Sequence, residues 1–230
     1  MNGEFQAETH RPLRPVADIR GLRHRTPMDL PSDMSKWDPR SYPSPFRLRF
    51  ELGGETFGSD KPVPRFVQAF GRAKQIALEV FEPSQRVFGV VAAWSNPHND
   101  LFAPEEDGFT ALREAGFALA PVHEWRAPLW PNELGEDQVP ARWSTFDLTS
   151  DIAARDVLIW CAIAYEMGIT PKAPVMSYLA DFERGIILYV YDDRGMDLIA
   201  LAPEPLLEIY AARSEWLLDH DRPRMKLAFE

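Results

Sequence analysis

From Arg47 to Leu52 apolar and polar positions alternate. Leu48, Phe50 and Leu52 fall on one side, and Arg47, Arg49 and Glu51 on the other. That period predicts a strand with one buried face. From Pro64 to Phe81 the period changes. Phe66, Phe70, Ala73, Ala77 and Val80 form one stripe at helical spacing, with Arg65, Arg72, Gln75 and Glu79 elsewhere, which predicts an amphipathic helix. Arg86 to Trp94 is almost continuously apolar, as expected of a strand covered on both faces. Asp107 to Ala115 reads as a short helix stopped by Gly116. Pro121 to Leu129 and Arg142 to Leu148 read as strands around a polar loop. In the first of these, His123 and Glu124 point to opposite faces, which argues against their acting as a pair.

Thr149 or Ser150 is expected to cap a helix over Asp151 to Met167. Its Val157 to Tyr165 stretch is apolar all round, so this should be the central buried helix, with Cys161 as a small core residue. Val175 to Phe182 then opens a meander. Ile186 to Tyr191 and Met196 to Leu201 form a hairpin around Asp192-Asp193-Arg194-Gly195, with Asp suited to start a turn and Gly195 to a left-handed backbone. This register sets Asp197 opposite Tyr191, on the face of Ile187, Tyr189 and Ile199, where a carboxylate needs a partner. The order β-α-β-α-β-β-α-β-β-β-α lacks regular βαβ alternation. It predicts an α+β fold: a largely antiparallel sheet, helices packed on one side, and a C-terminal β-hairpin plus helix.

That last helix is expected to start near Pro203 and Pro205 and to stop before Pro223. Asp219 and Asp221 would then sit at the helix end that disfavours anions. Arg222, Arg194, Arg184 or a bound metal ion could offset them, and the hypothesis carried forward is a clamp in which Arg194 at the hairpin tip reaches one of them. Candidate binding or clamp residues are therefore Asp192, Asp193, Arg194, Asp197, Trp216, Asp219 and Asp221.

The strings Y-D-D-R-G-M-D-L-I-A and W-L-L-D-H-D-R resemble the C-terminal signature of a bacterial family known only as a domain of unknown function. R-L-R-F-E-L-G-G, F-V-Q-A-F-G-R-A and V-F-G-V-V are similar to its N-terminal half, so the resemblance runs from about Phe46 to Arg222. It implies a compact bacterial domain and no particular chemistry.

Residues 1–42 hold seven Arg and Lys against six acids, with Pro12, Pro15, Pro27, Pro31 and Pro39 among them. They read as an irregular tail before a single globular domain over 43–230. The whole chain carries 25 basic and 35 acidic residues, a formal charge of −10. This argues against a nucleic-acid backbone binder. A single cysteine excludes an internal disulfide and a cysteine-based zinc cage. With no apolar leader and no membrane-length apolar run, a bacterial cytoplasmic protein is expected.

Gly53-Gly54 and Gly58 fit neither phosphate-binding fingerprint and read as a turn. Walker, G-x-S-x-G, H-E-x-x-H and Cys–His strings are all missing. The expectation is a non-catalytic acidic binding protein, of immunity type, that engages a basic protein partner and needs no cofactor. The alternative is a metal-dependent hydrolase, with Mg²⁺ or Mn²⁺ on Asp192, Asp193, Asp197, Asp219, His220 and Asp221.

Overall fold

The computed structural model describes residues 44–54, 56–94, 107–129 and 139–230. The proposed tail lies outside the described residues. Seven strands form one sheet: β1 (Arg47–Glu51), β2 (Phe88–Trp94), β3 (His123–Pro128), β4 (Pro140–Asp147), β5 (Val175–Asp181), β6 (Ile186–Val190) and β7 (Gly195–Ala200). The spatial order is β1-β7-β6-β5-β2-β4-β3, and every pairing is antiparallel. The α+β expectation, with its sheet and C-terminal hairpin, is what the chain adopts. β2 lies inside the sheet between β4 and β5, and its first six residues are buried. A strand covered on both faces needs no polar alternation, which is why Phe88 to Trp94 reads as one apolar run.

The helices are α1 (Pro62–Phe81), α2 (Gly108–Glu114), α3 (Ile152–Met167), α4 (Leu207–Ala212) and α5 (Arg222–Phe229). Their buried residues join the sheet face of Leu48, Phe50, Val91, Phe146, Leu188 and Leu198 in one cluster. On the opposite face, Val90, Ala92, Trp143, Tyr178, Ile187 and Ile199 form a second cluster, whose described members come from strands and adjoining loops. The helices thus share one side. Ala69, Ala73 and Ala77 let α1 lie close, and Phe66 and Phe70 meet Trp160 of α3 edge-on, with centroids 4.5 and 5.6 Å apart.

Asp151, rather than Thr149 or Ser150, caps α3: its carboxylate accepts from Ala154 N at 2.8 Å. Gly168 ends α3 in the left-handed conformation at φ 66°. Arg155 is buried but satisfied, donating to the carbonyls of Leu148 at 3.0 Å and Thr149 at 2.7 Å.

Two local expectations are corrected. Gly195 is not left-handed. A Cβ there would meet the Tyr191 hydroxyl and the Phe50 carbonyl oxygen, the latter at 2.6 Å, so the glycine serves close approach. The register also sets Asp197 opposite Tyr189, not Tyr191.

The single C-terminal helix is the larger correction. The segment breaks into a 3-10 turn at Glu204–Leu206, α4, a turn at Ser214–Trp216, a turn at Asp219–Asp221, and α5. No Gly or Pro separates Leu206 from Pro223, so the sequence alone reads as continuous. What interrupts it is the open edge of β1. Leu217 bridges to Phe50, and Leu218 N donates to Arg49 O at 2.9 Å. An unpaired strand edge is a liability, and this segment closes it. At the other edge, β3 exposes His123, Glu124 and Arg126 and ends in Pro128, features that discourage further pairing.

Two glycines should respond to alanine with opposite sign. At Gly89 a Cβ would sit 2.8 Å from Leu148 Cδ1 and 2.9 Å from Leu158 Cδ1. Gly89→Ala should cost about 1–3 kcal/mol by overpacking. Gly71 lies exposed within α1, and nothing lies within 4 Å of its Cβ position. Gly71→Ala should stabilise by roughly 0.5–1 kcal/mol. Urea unfolding midpoints of both variants test this pair.

Candidate functional site

The seven candidate residues fall into separate groups. At the hairpin tip, Asp192 is buried and accepts from Arg194 N at 2.7 Å and from Arg194 Nε at 2.8 Å. Arg194 therefore folds back on its own turn, and its side chain is 77% exposed. Asp193 pairs with Arg65 of α1, which also donates to the carbonyls of Gly54 at 3.0 Å and Phe57 at 2.8 Å. The tip is thus fastened to the β1–α1 connection.

Asp219 and Asp221 do not end a helix; they precede one. Asp221 is the N-cap residue of α5, at the end where anions are favoured, and Pro223 lies in the first turn of that helix rather than ending the previous one. The reason for an Arg194 clamp disappears, and neither aspartate is its partner. Asp219 is exposed and pairs with Arg222. Asp221 lies 3.4 Å from both Arg49 and Arg224.

The clamp that exists is Arg49. Its guanidinium donates to Asp197 through Nε at 2.8 Å and NH2 at 3.2 Å, while NH1 faces Asp221. Arg47, two residues earlier on the same strand face, lies 3.4 Å from Asp197. β1, β7 and the segment before α5 therefore share one ionic junction. The hydrogen bond that Arg49 donates to Asp197 holds the guanidinium above its ordinary pKa, against a smaller opposing effect of burial. Arg47 is pushed down by burial, and its neighbours Arg49 and Arg224 add to the fall.

Trp216 stands apart, beneath two guanidiniums: Arg72 lies 5.3 Å and Arg213 5.0 Å from its ring centroid. Arg213 is held by Glu79, whose carboxyl is lowered first by that hydrogen bond. Trp216 and its arginines join the turn after α4 to α1.

Two cavities flank the ionic junction, and they share Tyr189 and Tyr191. The smaller, about 230 Å³, is lined by Arg47, Arg49, Tyr178, Asp197 and Ile199 besides the shared pair. The larger, about 360 Å³, adds Trp94, Tyr165 and Glu166 with apolar neighbours. Tyr191 is pushed up to about 12, chiefly by burial and then by the nearby Asp197 charge. Tyr189 belongs to an aromatic series across the sheet face opposite the described helices. It runs His123, Trp125, Trp143, Tyr178, Tyr189 and Tyr191, with successive centroids 5.5, 5.7, 6.5, 4.6 and 5.8 Å apart.

The arrangement can hold charge and stack flat groups. Among the described residues no three His, Cys, Asp or Glu side chains converge as a metal site. Cys161 is buried, and burial pushes its thiol up to about 11, away from nucleophile character. Arg49, Tyr191, Trp94, Tyr165 and Glu166 are the site residues that the sequence does not single out. The one signal is the pairing of Arg47 with Arg49 on one strand face, but their partner lies on a strand distant in sequence.

Residues 28–221 match the model of a family described as a domain of unknown function, DUF3885. No curated protein and no solved structure matches the chain. Among the described residues, no helix is long and apolar enough to cross a membrane.

Two outcomes follow from the junction. Arg49→Ala leaves Asp197, 6% exposed, with its better partner gone. It should cost about 1–3 kcal/mol, discounted because Arg49 itself is partly exposed. Arg194→Ala should cost under about 1 kcal/mol. Denaturant unfolding at pH 7 compares the two, and the reverse order would refute this assignment. Tyr191 supplies the second outcome. Its raised pKa means that its stabilising contribution is complete below the unfolded value of about 10 and lost as pH rises through about 12. Tyr191→Phe should therefore flatten the stability decline between about pH 10 and 12, measured as the unfolding midpoint at each pH.

Proposed function

The chain belongs to the DUF3885 family, and we propose that it is a non-catalytic binding protein, of immunity type, that engages a basic protein partner. The observation that carries this reading is where acidic charge joins the fold. Residues 95–106 and 130–138 contain Asp100, Glu105, Glu106, Glu133, Glu136 and Asp137, and no Lys or Arg. These stretches are joined covalently to Trp94 and Leu129, both of which line the larger cavity. Arg49, Arg65, Arg194 and Arg213 are meanwhile engaged by carboxylates of the chain itself. Such a balance favours steering a cationic partner over capturing a polyanion.

The reading has a direct test. If the product of an adjoining gene binds this chain, it should be basic. Its association rate should fall by about tenfold or more as salt rises, since charges in water are screened over about 10 Å at 0.1 M. Stopped-flow mixing from 50 mM to 500 mM salt, about 13 to 4 Å of screening length, measures this. An acidic partner or a salt-independent rate overturns the proposal.

A further inference from the structure

Trp94, Tyr165, Tyr189 and Tyr191 line the larger cavity on several sides, and Glu166 stands at its exposed rim. The Trp94 and Tyr165 rings meet edge-on at 6.2 Å and 90°, and those of Tyr189 and Tyr191 lie 5.8 Å apart. Its volume of about 360 Å³ is within the roughly 300–1,000 Å³ of small-ligand sites. Aromatic faces are electron-rich, and several rings with a nearby carboxylate form a recess that favours a cation over a neutral group of equal shape. From this geometry we infer that the cavity is the anchor pocket for a basic partner, and that it takes an arginine or lysine side chain of that partner. The inference rests on the binding reading above and adds to it the residues and the chemistry of the contact.

Three further observations support a cation. The Lys172 ammonium already lies 5.9 Å from the Tyr165 centroid, so that ring is in contact with positive charge. Arg194, whose own pKa is raised in small part by Glu166, has its guanidinium committed to Asp192. Among the described residues no cation lies within ion-pair distance of Glu166, so its carboxylate is open to an incoming charge. Tyr191 also lines the smaller cavity together with Asp197 and Arg49, so the ionic junction stands behind that wall of the pocket.

The test uses the full chain and a blocked hexa-arginine peptide, with isothermal titration as the readout. The hexa-citrulline peptide, neutral and nearly isosteric, is the control ligand. Hexa-arginine should bind at least about tenfold more tightly than hexa-citrulline. Glu166→Gln and Tyr165→Leu should each weaken hexa-arginine by about fivefold, and Tyr165→Phe, which keeps the ring, should retain binding. Glu208→Gln makes the same charge change on α4, away from the cavity lining, and should leave affinity unchanged. Equal weakening by Glu208→Gln and Glu166→Gln would overturn the pocket while leaving the acidic-binder reading in place. Citrulline binding as well as arginine would overturn the cationic occupant. No binding of hexa-arginine at low salt would count against both readings at once.

Discussion

Asp197 is a carboxylate with 6% of its surface exposed, placed on a sheet face among tyrosines and isoleucines. An isolated charge there would be costly, and the fold answers it with two arginines from a strand some 150 residues earlier. Much of the molecule follows from that requirement. β1 must lie beside β7, and in one register. A slip by one residue would carry Arg47 and Arg49 into the helix-side core and turn Leu48 and Phe50 outward. Because Arg49 also faces Asp221, the same guanidinium draws the C-terminal segment along the outer edge of β1. There Leu217 and Leu218 satisfy backbone groups that would otherwise face solvent.

Most of the fold is legible in the sequence because its elements carry strong local periods. The alternation of β1, the stripe of α1, the apolar run of β2 and the turn before β7 each name an element without knowledge of its neighbours. The C-terminal region is not legible in this way. From Leu206 to Arg222 the sequence contains no helix breaker, and its helical pattern is real. Competition from the edge of β1, a partner far away in sequence, divides it. The misplacement of Asp219 and Asp221 follows from that one error, and with it the choice of Arg194 over Arg49. Asp197 itself is visible as a carboxylate on an apolar face; its partner is not, because pairing between β1 and β7 is a property of the sheet order. The cavity residues are hidden for a similar reason. Trp94, Tyr165 and Tyr191 come from β2, α3 and the hairpin, and nothing local marks them as neighbours.

Tyr189 and Tyr191 belong to both the ionic junction's cavity and the larger one. These rings form a wall between the ionic junction and the larger cavity. A junction of buried and half-buried charges is stiff, since each group is oriented by the next. A recess built against it inherits that stiffness. Membership of DUF3885 fixes no chemistry for this wall. Its residues bring together aromatic rings, a carboxylate and guanidiniums engaged by acids of the chain itself.

The order of the strands also has a consequence for how the protein is made. β1 is the first described strand, and its partner β7 is the last. During synthesis at about 5–20 residues per second, some 150 residues separate the arginines from their carboxylate, a delay of roughly 8–30 s. Among the described residues, the neighbours of β1 on both edges, β7 and the segment at Leu217, are made only at the end of that interval or after it. The central meander and its helices can assemble meanwhile, but the strand that anchors the ionic junction has to wait. Arg47 and Arg49 are then two like charges that discourage premature pairing with another copy of the same segment. The residues that lock the finished sheet would also guard its most exposed strand while the chain is still growing.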